Sequence, residues 1–141
     1  MKILLIVTGL IVAIPVLFLV TMYGASELGG EVVTLERSEA SGGTSDVRLW
    51  IVDEGKSAWI EHGDPQAHWI SQLAADPDVT IVRDGRSATY QAAPDPANHA
   101  RYHQLREAKY GWADQVVGWL GGGSSADCTG VPVRLEQNSG G

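Results

Sequence analysis

From Ile3 to Tyr23 the chain carries no charged residue. As a helix rising about 1.5 Å per residue, this run would extend roughly 30 Å, the thickness of a bilayer's hydrocarbon core. A soluble domain of this size has no use for such a segment. The sequence therefore predicts one transmembrane helix over residues 1–23, in contact with membrane lipid. Gly9 and Pro15 are tolerated in such helices. The length of the run favours a retained anchor over a cleaved signal peptide, whose apolar core spans about 7–15 residues, although Gly24-Ala25-Ser26 satisfies the small-x-small cleavage rule. Lys2 precedes the run, and Glu27 and Glu31 follow it. The positive-inside rule then predicts a single-pass protein with its N-terminus in the cytoplasm and its domain outside.

What remains divides into a small, polar linker over 24–30, one domain over 31–136 and a loose tail over 137–141. About 115 residues suffice for one domain with one core. A net charge of −7 excludes the basic surface that nucleic acid requires, and equally a polybasic grip on anionic lipid. The single cysteine, Cys128, excludes an intrachain disulfide and any Cys-x-x-Cys motif. It sits in a Gly/Ser-rich stretch and reads as incidental.

Hydrophobic alternation and turn residues divide the domain into short elements. Glu31–Arg37 reads as a strand, Ser38–Ser45 as a turn with Gly42-Gly43 at its tip, and Val47–Val52 as the partner strand. Asp53–Lys56 turns the chain into a returning strand over Ala58–His62. Asp64 and Pro65 read as cap and first position of a helix carrying Trp69, Ile70 and Leu73 on one stripe. Val79–Arg83 and Ala88–Ala92 form a hairpin around Asp84-Gly85. Asp95-Pro96 opens a second helix running to about Tyr110, and a short third helix begins near Trp112. Val131–Leu135 is the last strand. The order β-β-β-α-β-β-α-α-β, rich in hairpins, predicts a mainly antiparallel sheet of six strands with flanking helices, closed or partly open as a small barrel.

His99 and His103 stand four residues apart on the second helix, the spacing of two metal ligands on one face. No His-Glu-x-x-His motif accompanies them, and solvated histidines are the commoner outcome, so no metal ligand is assigned. His62 and His68 flank a turn and add no motif. No Gly-x-Ser-x-Gly elbow, phosphate loop or dinucleotide fingerprint occurs. The five tryptophans and Arg48 are the stronger signal. Tryptophans pack cores, but they also line sites for flat heteroaromatic ligands. Arg48 lies within an apolar strand, where a charge needs either an anionic ligand or a partner such as Glu61.

The segments Arg48–Asp53, Trp59–Gly63, Trp69 with Leu73–Val79, Asp84–Ala92, Leu105–Asp114 and Val131–Leu135 together resemble the flavin-binding split β-barrel superfamily of pyridoxamine-phosphate oxidases. They are most similar to its deazaflavin-dependent nitroreductase and quinone-reductase branch, which includes small members with one N-terminal membrane helix. The resemblance covers most of the soluble domain. It implies a six-stranded split barrel preceded by one transmembrane helix, assembled as a homodimer with the cofactor at the barrel wall. The cofactor would be the deazaflavin coenzyme F-420 or FMN. By position, the implied cofactor-binding residues are Arg48, Trp50, Glu61, His62 and Gly63, closed by Tyr110 and Trp112.

The function expected on this basis is a membrane-anchored oxidoreductase passing a hydride from reduced deazaflavin or flavin to a quinone or nitro-type acceptor. The turn Asp64-Pro65-Gln66-Ala67-His68 carries no Arg or Lys where the superfamily commonly holds the cofactor phosphate. A non-catalytic ligand-binding module is therefore the second reading.

Overall fold

The computed structural model describes residues 11–21, 23–24, 30–120 and 128–137. Residues 11–21 form a helix, α1, with every side chain exposed, among them Leu17, Phe18 and Leu19. The rest of the uncharged run largely lies outside the described residues. Among the described residues, no helix is long and apolar enough to cross a membrane.

The domain is one antiparallel sheet of seven strands: β1 (Val32–Ser38), β2 (Thr44–Trp50), β3 (Val52–Glu54), β4 (Ser57–His62), β5 (Asp78–Arg83), β6 (Arg86–Pro94) and β7 (Val131–Gln137). Their order across the sheet is β2-β1-β5-β6-β7-β4-β3. The two edges, β2 and β3, are consecutive in sequence and separated by Ile51 alone. One bent strand therefore pairs with β1 before Ile51 and with β4 after it, which curls the sheet into a split barrel. This corrects the expected count of six strands. The apolar run Leu49–Val52 reads as continuous, but its pairing partner changes at Ile51.

Turn chemistry sets the hairpins. Asp84 and Gly85 both have positive φ, and Arg83 pairs with Arg86 across them, so the connection is a two-residue turn of the type that matches strand twist. Gly42 and Gly43, with φ of 81° and 94°, close the β1–β2 hairpin.

The pleat sorts side chains into two layers. Val33, Leu35, Ile51, Ala58, Ile60, Val79, Ile81, Ala92, Val133 and Leu135 fill the barrel interior. The short helix α2 (His68–Gln72) adds Trp69 and Ile70 to that same core, with Leu73 just beyond it, rather than packing outside the barrel as expected. Its start also differs from expectation. The Asp64 carboxylate accepts the Gln66 N–H at 2.8 Å and so closes a turn, and the helix begins only at His68.

A second, outer layer consists of Val52, Trp59, Tyr102 and Tyr110, with Trp50 and Leu105 against it. Here α3 (His99–Tyr110) lies along the outside of the barrel. A short 3-10 turn over Pro96–Asn98 precedes it, so Asp95-Pro96 opens that turn instead of the α-helix. The last helix, α4 (Trp112–Leu120), exposes Trp112 and Trp119 by 62% and 83%.

Candidate functional site

Two clusters occupy opposite ends of α3. The first surrounds the bend at Ile51. A strand that changes partner leaves its own N–H and C=O without a ladder, and buried backbone groups must be paired. Tyr110 and Lys109 supply the pairing. The Ile51 N–H donates to the Tyr110 hydroxyl at 3.2 Å, and that hydroxyl donates back to the Ile51 carbonyl. Lys109 Nζ donates to the same carbonyl at 2.8 Å. Trp50, one residue earlier, lays its half-buried ring over Tyr110, with centroids 4.6 Å apart and planes tilted by 32°. Arg48, two residues back, shares this outward strand face and is exposed.

An ionic lattice supports the bend. Arg83 pairs with Glu31 and, at 2.8 Å, with Asp53; Lys109 reaches Glu31 at 2.5 Å and Asp53 at 3.1 Å. Hydrogen bonding from Arg83, aided by Lys109, outweighs burial and holds the Asp53 carboxyl down at about 2. In Glu31 burial opposes ionisation, yet the same two cations lower its pKa.

The second cluster surrounds Glu61. On β4, Ala58 and Ile60 face the interior, so Trp59 and Glu61 face α3. Glu61 Oε2 accepts Arg106 Nη1 at 2.8 Å, and Arg106 Nε lies 2.6 Å from an Asp114 oxygen. Glu61 therefore pairs with Arg106 and two histidines, not with Arg48. Its other oxygen, Oε1, lies 3.3 Å from His99 Nε2, 3.5 Å from His103 Nε2 and 3.4 Å from Cys128 Sγ. The two imidazole Nε2 atoms are 3.3 Å apart. Burial lowers the pKa of His103, and it raises that of the Cys128 thiol with help from Glu61. His103 Nδ1 is buried and has no hydrogen-bond partner among the described residues.

The residues implied by resemblance thus do not form one cluster. Trp50 and Tyr110 meet at the bend, with Arg48 on the same strand face. Glu61 lies in the histidine cluster, toward the other end of α3. His62 turns away from both: its ring meets Trp69 edge-on at 5.5 Å, and its Nε2 lies 3.2 Å from Arg37 Nη1. Gly63 is an exposed residue of the following turn, and Trp112 is exposed at the start of α4. Sequence reading missed Arg106, Asp114 and Cys128. The i, i+4 histidine spacing was the one signal that pointed to this second cluster.

No family model and no curated protein matches the chain. Solved structures do. A pyridoxamine 5′-phosphate oxidase, so assigned provisionally, from Listeria innocua superposes with a TM-score of 0.52 at 12% identity, covering 86% of this chain and 90% of that one. An F420-H2-dependent reductase gives 0.52 at 18% identity, covering 75% and 94%. An FAD-binding protein from Mesorhizobium loti gives 0.51 at 17% identity, covering 78% and 83%. All resemble this chain in overall fold, at identities too low to carry more than architecture. The chain has the split β-barrel fold also found in these pyridoxamine 5′-phosphate oxidase-like, F420-dependent and FAD-binding proteins.

Proposed function

We propose that this protein is a membrane-anchored split-barrel oxidoreductase that uses a reduced deazaflavin, coenzyme F-420, or FMN to reduce a quinone or nitro-type acceptor. The observation that carries this reading is the Trp50–Tyr110 wall at the bend, set in a fold shared with reductases and oxidases of that kind. The cofactor supplies the hydride. Trp50 offers an apolar face to a flat ring, while Tyr110 and Lys109 fix the backbone beneath it. Arg48, exposed on the same strand face, suits an anionic group through charge-assisted hydrogen bonds. Glu61 does not fit this role, because Arg106 and the histidines hold it elsewhere. A second copy of the chain, completing the opposite wall of the site, is part of this proposal, and exposed Trp112 is a candidate contributor.

The anchor belongs to the same reading. In α1 the apolar side chains are exposed all round, an arrangement that suits lipid better than water. Lys2 before the run and Glu27 after it favour an external domain, close to lipid-soluble quinone. A reporter fused after Gly141 is expected to behave as exported, and cytoplasmic reporter activity would reverse the orientation.

Activity is tested by following oxidation of the reduced cofactor by the full chain in detergent, with a naphthoquinone and a nitroaromatic as separate acceptors. Turnover with either supports the enzyme. Binding without turnover supports the second reading, a non-catalytic ligand-binding module, which the uncharged turn Pro65–His68 favours: it provides no cation for a cofactor phosphate.

A further inference from the structure

We propose that Glu61, His99, His103 and Cys128 form a tetrahedral zinc site, independent of the cofactor reading. The four donor atoms, Glu61 Oε1, the two Nε2 atoms and Cys128 Sγ, all lie within 4.8 Å of one another. Four of the six separations are 3.3, 3.3, 3.5 and 3.4 Å. A zinc ion bound at about 2.0–2.2 Å by nitrogen and oxygen and about 2.3 Å by sulfur requires tetrahedron edges of roughly 3.3–3.6 Å. Four of the six edges already have that spacing, and the two between Cys128 and the histidines lie within 4.8 Å, the donors coming from three separate parts of the fold.

Hydrogen bonding alone accounts poorly for the arrangement. Three groups, His99, His103 and Cys128, converge on one carboxylate oxygen, while the two imidazole nitrogens also face each other. An oxygen with two lone pairs cannot serve three donors well. A cation at the centre turns all four atoms into acceptors with a common partner. The charge also balances: one carboxylate and one thiolate neutralise a divalent ion, and neutral imidazoles complete the set.

The surroundings are built for the same task. Arg106, itself next to Asp114, holds Glu61 Oε2 and leaves Oε1 free to face the cluster. The Gly130 N–H donates to Cys128 Sγ at 3.4 Å, a contact that favours thiolate. A Cβ at Gly130 would stand 3.0 Å from the Glu61 side chain, so glycine is what lets this loop close over the carboxylate. His99 and His103 share one helix face. Nitrogen and sulfur ligands select zinc over magnesium or calcium, and four protein ligands leave no open position. The site is thus structural, clasping the approach to β7 against β4 and α3.

The test uses the full chain in detergent, reduced, stripped with chelator and titrated with Co2+ and then Zn2+. The expected result is one Co2+ per chain, with the visible bands of tetrahedral cobalt and a thiolate-to-cobalt charge-transfer band, both lost on adding Zn2+. Cys128→Ser should abolish the charge-transfer band, and His99→Gln should weaken Co2+ binding at least tenfold. Folded parent protein that binds no stoichiometric metal at micromolar concentration would overturn the proposal. So would a cobalt spectrum unchanged in both variants, which would place the ion elsewhere.

Discussion

The Tyr110 hydroxyl bonds both backbone groups of Ile51, accepting from its N–H and donating to its carbonyl. One side chain thus completes the backbone at the residue where the bent strand changes partner. Tyr110→Phe keeps the ring on Trp50 and removes these bonds together with the hydroxyl's 3.2 Å contact to the Glu31 carbonyl. It is expected to cost about 1–3 kcal/mol, the penalty for a buried backbone group left unpaired. Denaturant melts should show this as a lower midpoint at unchanged slope. A midpoint equal to the parent's would mean that Lys109 and water suffice at the bend.

Trp69 is 3% exposed and belongs to the interior core with Ile70 and Leu73. Trp69→Ala should therefore cost roughly 3–5 kcal/mol, as for other large buried aromatics. A loss under about 1 kcal/mol in the same melts would place the side chain at the surface.

These two residues show what could be read from the sequence. Trp69 was legible because helical spacing with Ile70 and Leu73 is a local signal. The strands β1, β5, β6 and β7 were legible for the same reason, through alternation and through Asp84-Gly85. The bend at Ile51 was not, since Leu49, Ile51 and Val52 are equally good strand residues and only the pairing partners change. Asp64-Pro65 and Asp95-Pro96 have the composition of helix caps, yet each serves a turn that precedes its helix. At the Glu61 cluster, local spacing found His99 and His103. Glu61 and Cys128 arrive from β4 and from the loop before β7, and nothing in local sequence encodes that closure. Arg48 and Glu61 both face the outer layer, but β2 and β4 are not neighbours in the sheet, and Arg106 on α3 takes the carboxylate.

Asp53 gives a pH dependence with a definite sign. Its folded pKa of about 2 lies below the ordinary 3.8, so ionisation favours the folded state. The contribution is fully present above about pH 4 and is lost as pH falls from 3.8 through about 2. Solvent around this partly exposed carboxylate keeps it modest. Asp53→Asn should lower the melting midpoint at pH 6, by an amount that shrinks steeply as pH falls towards 2. A difference of equal size at both values would assign the effect to packing.

A Cβ at Gly130 would stand 3.0 Å from Glu61 side-chain atoms, so Glu61 would have to shift, whereas Gly63 has nothing within 4 Å of that position. Gly130→Ala is expected to destabilise by about 1–3 kcal/mol, the range for overpacking. Gly63→Ala should stay within about 0.5 kcal/mol, as surface changes do. Equal effects in thermal melts would show that Glu61 yields without cost.

The proposed oxidoreductase stands on cofactor binding at the Trp50 wall, and equilibrium titration of the full chain with F-420 and with FMN tests it most directly. Saturable binding of one of them well below millimolar is expected. Arg48→Met and Trp50→Ala should each weaken it more than about tenfold, or roughly 1.4 kcal/mol, while the variants still melt cooperatively. Folded parent protein that binds neither cofactor at near-millimolar concentration would rule out the oxidoreductase.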